Sequence, residues 1–219
     1  MTASLRRELL DACRELDDRG LNRGTSGNCS VRVDGGLLIT PSGIPTRDLS
    51  ADALVPMADD GTWVGDEAPS SEWRIHRDAY RHRPDLDAVV HTHSTHAVAV
   101  ACLRRDIPPF HYMVATAGGD IIRCADYALF GTEELSRNAL AALGDRRACL
   151  LANHGMLALG ATMPAAIALA IEIEALCEQY LVACSAGEPV LLDDTQMAEA
   201  LERFATYGRP TGPEEPHGR

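Results

Sequence analysis

Residues 87–93 have the sequence Asp-Ala-Val-Val-His-Thr-His, a short apolar run that ends in two histidines. Alternate residues of a β-strand point to the same face, so a strand here directs His91 and His93 to one side. Imidazole is the commonest protein ligand for zinc, although two histidines on a polar face give the same pattern. This stretch therefore predicts a strand with a candidate pair of metal ligands at its end.

A second apolar run, Leu150-Leu151-Ala152-Asn153, ends in the same way, with His154 and then Gly155. Ligand sites commonly lie where the elements of a rigid scaffold give way to loops. Three histidines from two strand ends would form an open zinc site with a position left for substrate. His96 is an alternative ligand from the next predicted helix. His76 and His82 fall on an amphipathic helix, where packing or surface exposure is the simpler interpretation.

Three short segments are rich in hydroxyl groups. Ser70 and Ser71 precede a predicted helix over 72–83, where they are expected to form the N-cap and, with the free N–H groups, a candidate anion site. Glu72 beside them is a candidate general base. Two loops, 25–28 and 40–43, flank a predicted hairpin over 28–40 and have the composition of phosphate-binding loops. Each segment alone is also typical of an ordinary cap or turn.

Helices and strands alternate outward from these motifs, and several strands form hairpins. The pattern predicts one α/β layered domain over 1–207, with a mostly antiparallel central sheet and flanking helices. A segment with three Pro and three Gly, 208–219, is expected to be a flexible tail. The remaining strands are predicted over 87–93, 121–125, 148–153 and 156–159. The helices are predicted over 4–19, 72–83, 96–104, 132–143, 163–183 and 194–207.

The 219 residues carry a net charge of −12 and include 20 arginines but no lysine. This absence excludes a Schiff-base aldolase, a pyridoxal phosphate enzyme and a P-loop nucleotide site. Carbonyl chemistry in this chain would need another electron sink, for which a metal ion is the obvious choice. The acidic balance argues against nucleic acid and anionic membrane surfaces as partners.

The expected location is the cytoplasm. No apolar stretch approaches a membrane span, and the first ten residues lack the apolar core of a signal peptide. The seven cysteines are odd in number, contain no CxxC pair and lie mostly among apolar neighbours. They are expected to be reduced thiols packed in the core rather than disulfides or metal ligands.

Taken together, these motifs resemble the class II aldolase/adducin family over about residues 5–208. The longer stretch 111–132 and Thr206-Tyr207-Gly208 are most similar to family members that cleave L-fuculose 1-phosphate. Two positions depart from the family pattern, Cys29 after the asparagine and Asn153 before the third histidine. The shorter markers are Ser26-Gly27-Asn28, Thr40-Pro41-Ser42-Gly43, Ser70-Ser71-Glu72-Trp73-Arg74, His91-Thr92-His93 and Asn153-His154-Gly155.

The resemblance implies a three-layer fold and one zinc ion per subunit. It implies that Glu72 ligates zinc in the empty site and is the base in turnover, and that Tyr112 protonates the aldehyde oxygen. Tyr207 would reach the active site of a neighbouring subunit in a cyclic homotetramer, with active sites at the subunit interfaces. The implied zinc ligands are His91, His93 and His154. The implied phosphate-binding residues are Thr25, Asn28, Ser42, Gly43, Ser70 and Ser71.

The implied reaction is cleavage of a ketose 1-phosphate, such as L-fuculose 1-phosphate, to dihydroxyacetone phosphate and an aldehyde such as L-lactaldehyde. Two alternatives remain open. A pentulose-5-phosphate 4-epimerase of the same family is disfavoured because such members carry Asp where this chain has Glu72. A non-catalytic adducin-like binding module is disfavoured because the three histidines and Glu72 are all present.

Overall fold

A seven-stranded sheet forms the middle layer of the computed structural model, which describes residues 2–207. The strand order is β3-β2-β1-β4-β7-β6-β5, and only the β5–β6 pair is parallel. The prediction of a mostly antiparallel sheet is confirmed. The strands are β1 (Asn28–Val33), β2 (Gly36–Ile39), β3 (Val55–Ala58), β4 (Ala88–Thr92), β5 (Cys124–Ala125), β6 (Ala148–Leu151) and β7 (Gly155–Gly160).

Six α-helices accompany the sheet within residues 2–207, and several begin where the sequence supplies a cap. Thr132 Oγ1 accepts the Leu135 N–H, and Thr162 Oγ1 accepts the Ala165 N–H with Pro164 in the first turn. Short 3₁₀ turns occupy Thr46–Asp48 and Tyr112–Ala117. The α-helices are α1 (Ala3–Asp18), α2 (Trp73–His82), α3 (Thr95–Cys102), α4 (Glu133–Leu143), α5 (Met163–Ala186) and α6 (Asp194–Thr206).

The two faces of the sheet pack into two separate cores, as the alternation of side chains along β4 illustrates. Val89 belongs to the core that contains residues of α2 and α4, whereas Val90 belongs to the core of α1, α3 and α5. This division confirms three layers, with the sheet between two helical layers. Because His91 lies two residues after Val89, it points toward the layer that contains α2.

Two details of the predicted elements are corrected. α2 begins at Trp73, so Glu72 occupies the N-cap in place of Ser70 or Ser71. The Ser70 hydroxyl accepts the Glu72 N–H, but the Glu72 carboxylate makes no cap hydrogen bond because it is turned toward the histidines. The strand predicted over 121–125 shrinks to β5, because Ile122 forms an isolated bridge with Ile107 instead. The predicted tail over 208–219 lies outside the described residues.

All seven cysteines are free thiols, and four of them, Cys13, Cys29, Cys149 and Cys177, are buried as expected. Cys102 is exposed, so the expectation of core packing is wrong for it. Within residues 2–207, every helix is too short or insufficiently apolar to cross a membrane.

Candidate metal centre and active site

The end of β4 and the turn between β6 and β7 bring the three predicted histidines together. The imidazole centroids of His91, His93 and His154 are 4.8 Å apart in all three pairs. Glu72, at the start of α2, completes the group, with Oε2 3.2 Å from His91 Nε2 and Oε1 3.1 Å from His154 Nε2. One possible ligand atom from each residue lies within 4.8 Å of the others. The structure therefore assembles one four-residue cluster from segments 82 residues apart in the sequence.

The backbone conformation of the β6–β7 turn depends on Asn153 and Gly155, the residues on either side of His154. Asn153 has φ of 54°, in the left-handed region that asparagine tolerates better than most residues. Its N–H donates to Ala101 O, and its Oδ1 accepts from Arg104 Nε at 2.8 Å. A Cβ on Gly155 would lie 2.2 Å from Thr92 O, so only glycine lets β7 approach the end of β4 this closely. The Asn-His-Gly sequence thus places His154 against the β4 histidines.

Two ligand atoms face the interior of the cluster, and one of them, His91 Nε2, lies 2.9 Å from His93 Nε2. His91 Nδ1 is 2.8 Å from Met156 O, and because a carbonyl only accepts, Nδ1 carries the hydrogen. When the ring is neutral, the lone pair of Nε2 therefore faces the cluster, which is the arrangement that metal-binding histidines adopt. Glu72 Oε1 is buried and has no hydrogen-bond partner within residues 2–207, although His154 Nε2 lies 3.1 Å away. Three imidazoles and a carboxylate are a donor set that suits zinc, so the residues present fit the metal.

The charges of the cluster also favour a cation. Burial by itself raises the pKa of Glu72, but the adjacent His91 and His154 outweigh it and hold this pKa far below its usual range. Burial and repulsion from His91 lower the pKa of His93 to about 4. Glu72 is therefore ionised and His93 neutral near pH 7, which are the forms that bind metal. Burial lowers the pKa of His91, but the Glu72 carboxylate outweighs it and raises this pKa, so a metal ion would replace a proton on that ring.

His96 is engaged elsewhere and does not join the cluster. Its Nδ1 is 2.9 Å from Oε1 of Glu174 on α5, and the same carboxylate accepts the N–H groups of His96 and Ala97. A side chain of α5 thereby caps the start of α3, the helix that follows the β4 histidines. Nothing in the local sequence indicates this contact, because the partners are 77 and 78 positions apart.

A cavity of about 360 Å³ opens beside the metal cluster, and all six predicted phosphate-binding residues line it. The Ser42 N–H donates to Ala68 O and the Ser70 N–H to Thr40 O, so the 40–43 and 68–71 segments lie side by side. This pairing brings hydroxyl groups from separate loops to one wall. The cavity lining comprises Thr25, Ser26, Gly27, Asn28, Pro41, Ser42, Gly43, Ser70, Ser71, Glu72, His93, Tyr127, Ala128, Phe130, Asn153 and His154.

The loop before β1 is held against the metal cluster by Asn22. A Cβ on Gly27 would lie 2.1 Å from Asn22 Oδ1, and Gly27 has φ of +76°. The same Asn22 oxygen accepts the His93 N–H at 3.3 Å. Glycine is therefore needed at position 27 both for the turn and for the close approach, and Asn22 joins the phosphate-side loop to a metal ligand.

The two predicted tyrosines lie elsewhere. Among the described residues that line the cavity, neither Tyr112 nor Tyr207 is found. Instead, the Tyr112 ring stacks on Phe204 of α6 with centroids 6.2 Å apart, and Tyr207 packs edge-on against the same Phe204. Both tyrosines are more than half exposed, at 53% and 78%. They form one aromatic patch, and their catalytic roles stay predictions.

Tyr127 and Phe130 form the apolar rim of the cavity. Both lie in the stretch 111–132 that carries the family resemblance, but neither was predicted as a site residue. Both side chains are more than half exposed although they belong to the cavity wall. Gly131 follows, and a Cβ there would lie 2.8 Å from Ser71 O. The rim segment is thereby pressed against the serine loop, and this close approach is a contact that no local pattern reveals.

The family of this protein is decided by a domain match. Residues 7–181 match the family described as "Class II Aldolase and Adducin N-terminal domain". The chain belongs to the class II aldolase/adducin family. The resemblance inferred from the motifs is therefore confirmed, and the fold described above is the one that this family adopts.

Similar family members are named as sugar-phosphate aldolases. The 5-methylthioribulose-1-phosphate/5-deoxyribulose-1-phosphate aldolase of Rhodospirillum rubrum is 54% identical, over 94% of this chain and 93% of the relative. The L-fuculose phosphate aldolase of Escherichia coli K12 is 47% identical, over 93% and 95%. A solved L-fuculose 1-phosphate aldolase superposes with a TM-score of 0.90 at 40% identity, covering 94% of this chain and 98% of that one. The predicted enzyme class is confirmed by these relatives.

Proposed function

We propose that this protein is a zinc-dependent aldolase that cleaves a ketose 1-phosphate to dihydroxyacetone phosphate and an aldehyde. One observation carries the proposal. The Glu72 carboxylate, with one buried oxygen unpaired, faces three imidazoles at the edge of a cavity lined by hydroxyl groups. The names of the similar family members support the same reaction. Zinc would be held by His91, His93 and His154, with Glu72 as a further ligand before substrate binds.

The substrate phosphate is assigned to the hydroxyl-rich wall. No lysine occurs in the chain and no arginine is among the described residues that line the cavity, so we assign the phosphate to hydroxyl groups, backbone N–H groups and the Asn28 amide. The wall supplies these donors from three loops, within the same cavity as the metal cluster. The assigned residues are Thr25, Asn28, Ser42, Gly43, Ser70 and Ser71.

The protons are moved by residues of the chain. In the direction of condensation, Glu72 takes a proton from the hydroxymethyl carbon of dihydroxyacetone phosphate. That carbon adds to the aldehyde, and Tyr112 gives a proton to the new alkoxide oxygen. In cleavage each proton moves the opposite way. When bound, zinc supplies Lewis-acid stabilisation of the negative charge that develops on the substrate oxygens.

The substrate class follows from what the candidate substrates share. L-Fuculose, 5-deoxyribulose and 5-methylthioribulose 1-phosphates all lack a hydroxyl group on the terminal carbon, opposite the phosphate. The exposed rim of the cavity carries Tyr127 and Phe130, and the buried Ala128 lies beside them in the cavity wall. These side chains suit an apolar substituent better than a hydroxyl group. We assign the enzyme to ketose 1-phosphates with an apolar terminal group, with the 1-phosphates of L-fuculose, 5-deoxyribulose and 5-methylthioribulose as the three candidates.

A substrate panel tests this assignment. Release of dihydroxyacetone phosphate is measured from the three apolar-ended ketose phosphates, with ribulose 1-phosphate as the matched substrate that carries a terminal hydroxyl. We expect kcat/KM to be about tenfold or more higher for the apolar-ended substrates, because a pocket discriminates one small group by about 1–3 kcal/mol. Equal values for ribulose 1-phosphate would contradict the apolar preference. Absence of dihydroxyacetone phosphate from every substrate would contradict the aldolase itself.

The assembly proposed for this enzyme is a cytoplasmic homotetramer whose active sites lie at subunit interfaces. The support is the aromatic patch of Tyr112, Phe204 and Tyr207, whose two tyrosines are exposed and which is absent from the described lining of the cavity of its own chain. If this patch contributes side chains to the active site of a neighbouring subunit, the two subunits meet through a heterologous interface. The free thiols agree with a reducing compartment.

Mixed oligomers test the assembly. Chains with Glu72→Gln lack the base, and chains with Tyr112→Phe lack the proton donor, so each parent should turn over slowly. If the patch serves a neighbour, equal mixing into one cyclic oligomer creates intact sites at about a quarter of the positions. We expect turnover of the mixture, confirmed as hybrid by native mass spectrometry, to rise well above both parents. Hybrids no more active than the parents would place Tyr112 in its own subunit or outside catalysis.

A further inference from the structure

A line of buried polar side chains runs from Glu72 away from the cavity and ends at Tyr80. Asn28 Nδ2 donates to Glu72 Oε2 at 2.9 Å, and Asn28 Oδ1 contacts His76 Nε2. The Ser30 hydroxyl lies 2.7 Å from both His76 Nδ1 and the Tyr80 hydroxyl. None of the five side chains belongs to a residue more than 7% exposed, so each must find its partner within the protein.

Donor and acceptor chemistry gives this line a single direction. A carboxylate only accepts, so the Asn28 amide must turn its N–H toward Glu72 and its oxygen toward His76. The amide oxygen only accepts, so His76 Nε2 carries the hydrogen. In a neutral imidazole Nδ1 is then the acceptor, so Ser30 donates to it and Tyr80 donates to Ser30. Every donor along the line therefore points toward Glu72.

The neutral form of His76 is favoured by its surroundings. Burial, followed by repulsion from His91, lowers the pKa of His76 to about 3. Near pH 7 the ring has one hydrogen, and the contact with Asn28 places that hydrogen on Nε2. The histidine therefore has one donor and one acceptor, and both are used.

Local structure places these side chains opposite one another. His76 and Tyr80 are four residues apart on α2 and share one helical face. Asn28 and Ser30 are two residues apart on β1 and share one face of the sheet. Asn28 is also paired directly with His91 across the β1–β4 ladder. The amide thus lies between a metal ligand, the base and the cavity that it lines.

We propose that His76, supported by Ser30 and Tyr80, is a positioning residue that fixes the orientation of the Asn28 amide toward Glu72 and the substrate. The proposal rests on the function proposed above, because the second amide N–H is then free for the substrate phosphate. Without the donor at His76, the buried Asn28 Oδ1 loses its partner, and only the contact with Glu72 still orients the amide. A buried acceptor left without a hydrogen bond is costly, so the amide is then held less firmly toward Glu72 and the phosphate.

Substitutions at position 76 separate the hydrogen-bond donor of the side chain from its packing volume. His76→Gln retains an N–H group that can reach Asn28 Oδ1, whereas His76→Leu fills the space without a donor. We expect His76→Leu to lower kcat about 10–100-fold and to raise KM, as loss of an outer hydrogen-bond partner commonly does. His76→Gln should stay within a few-fold of wild type. The matched control is His82→Leu, an exposed position of the same helix, which should leave both constants unchanged.

Rates are expressed per metal-loaded folded chain. A loss of folding or of metal is then not counted as an effect of a misplaced Asn28 amide. Wild-type kcat and KM in His76→Leu would overturn the proposal. Equal losses in His76→Leu and His76→Gln would also overturn it, because they would show that the ring acts through its shape.

The tautomer of His76 gives a second readout, which does not depend on turnover. His76→Gln is needed only to assign the His76 signal in the spectrum. In ¹⁵N spectra of zinc-loaded wild type, His76 should remain neutral with its hydrogen on Nε2 between about pH 5 and 8. A charged His76 ring, or a hydrogen on Nδ1, would overturn the hydrogen-bond direction on which the positioning role depends. If wild type cleaves no ketose 1-phosphate, the proposed function fails, and the tautomer still decides the hydrogen-bond direction on which the positioning role depends.

Discussion

Replacing Glu72 with glutamine will lower turnover by about 10²–10⁴-fold while the protein still binds its metal. The amide has nearly the same shape and can accept the Asn28 N–H, but it cannot take a proton from carbon. The three histidines remain to hold the metal. The specific readout is exchange of the hydroxymethyl hydrogen of dihydroxyacetone phosphate with solvent deuterium, which isolates the proton transfer from aldehyde addition.

The matched control for this variant is Glu67→Gln, an exposed position in the loop that leads to the serine segment. It removes the same charge outside the cluster and should leave exchange unchanged. Undiminished exchange in Glu72→Gln would contradict the assignment of the base and would transfer that role to another residue, with Tyr112 the next candidate.

Replacing His154 with alanine will remove most of the bound metal and lower cleavage by at least about 10³-fold, because an open zinc site needs its three protein ligands. His154 lies in the β6–β7 turn with its side chain only 12% exposed, and the turn geometry depends on Asn153 and Gly155. The variant should therefore fold normally. Metal per chain is measured by elemental analysis, beside the circular dichroism spectrum as a check on folding.

His96→Ala is the matched control for the ligand assignment. His96 is the nearest rival histidine in the sequence, but its ring contacts Glu174 instead of the cluster. This variant should retain its metal. Full metal occupancy in His154→Ala, or loss of metal in His96→Ala with a native spectrum, would contradict the assigned ligand set.

The central part of the site was predictable from sequence because its geometry is local. The two-residue period of a strand places His91 and His93 on one side. The repeated layout of an apolar run followed by a histidine predicted that His154 would join them. Both inferences depend on regular backbone geometry, and the antiparallel pairing of β4 with β7 then brings the strand ends together.

The contacts of His76, His96 and the cavity rim could not be predicted, because they join residues that are distant in the sequence. His76 was interpreted as a packing or surface residue, since its helix is amphipathic and its partner Asn28 is 48 positions away. The contact of Glu174 with His96 and the rim residue Tyr127 were missed for the same reason. The N-cap at Glu72 differs from the expected serines because the cluster, rather than the helix end, determines where that carboxylate points.

The central claim is that one metal ion at the His91, His93, His154 and Glu72 cluster is required for cleavage of a ketose 1-phosphate. The most direct measurement follows zinc per chain and release of dihydroxyacetone phosphate together, through removal of metal by a chelator and its return. We predict about one zinc per chain in the active enzyme, loss of turnover in proportion to lost metal, and recovery on adding zinc. A metal-free protein that retains full turnover would contradict the account, since a chain without lysine has no Schiff base to replace the metal.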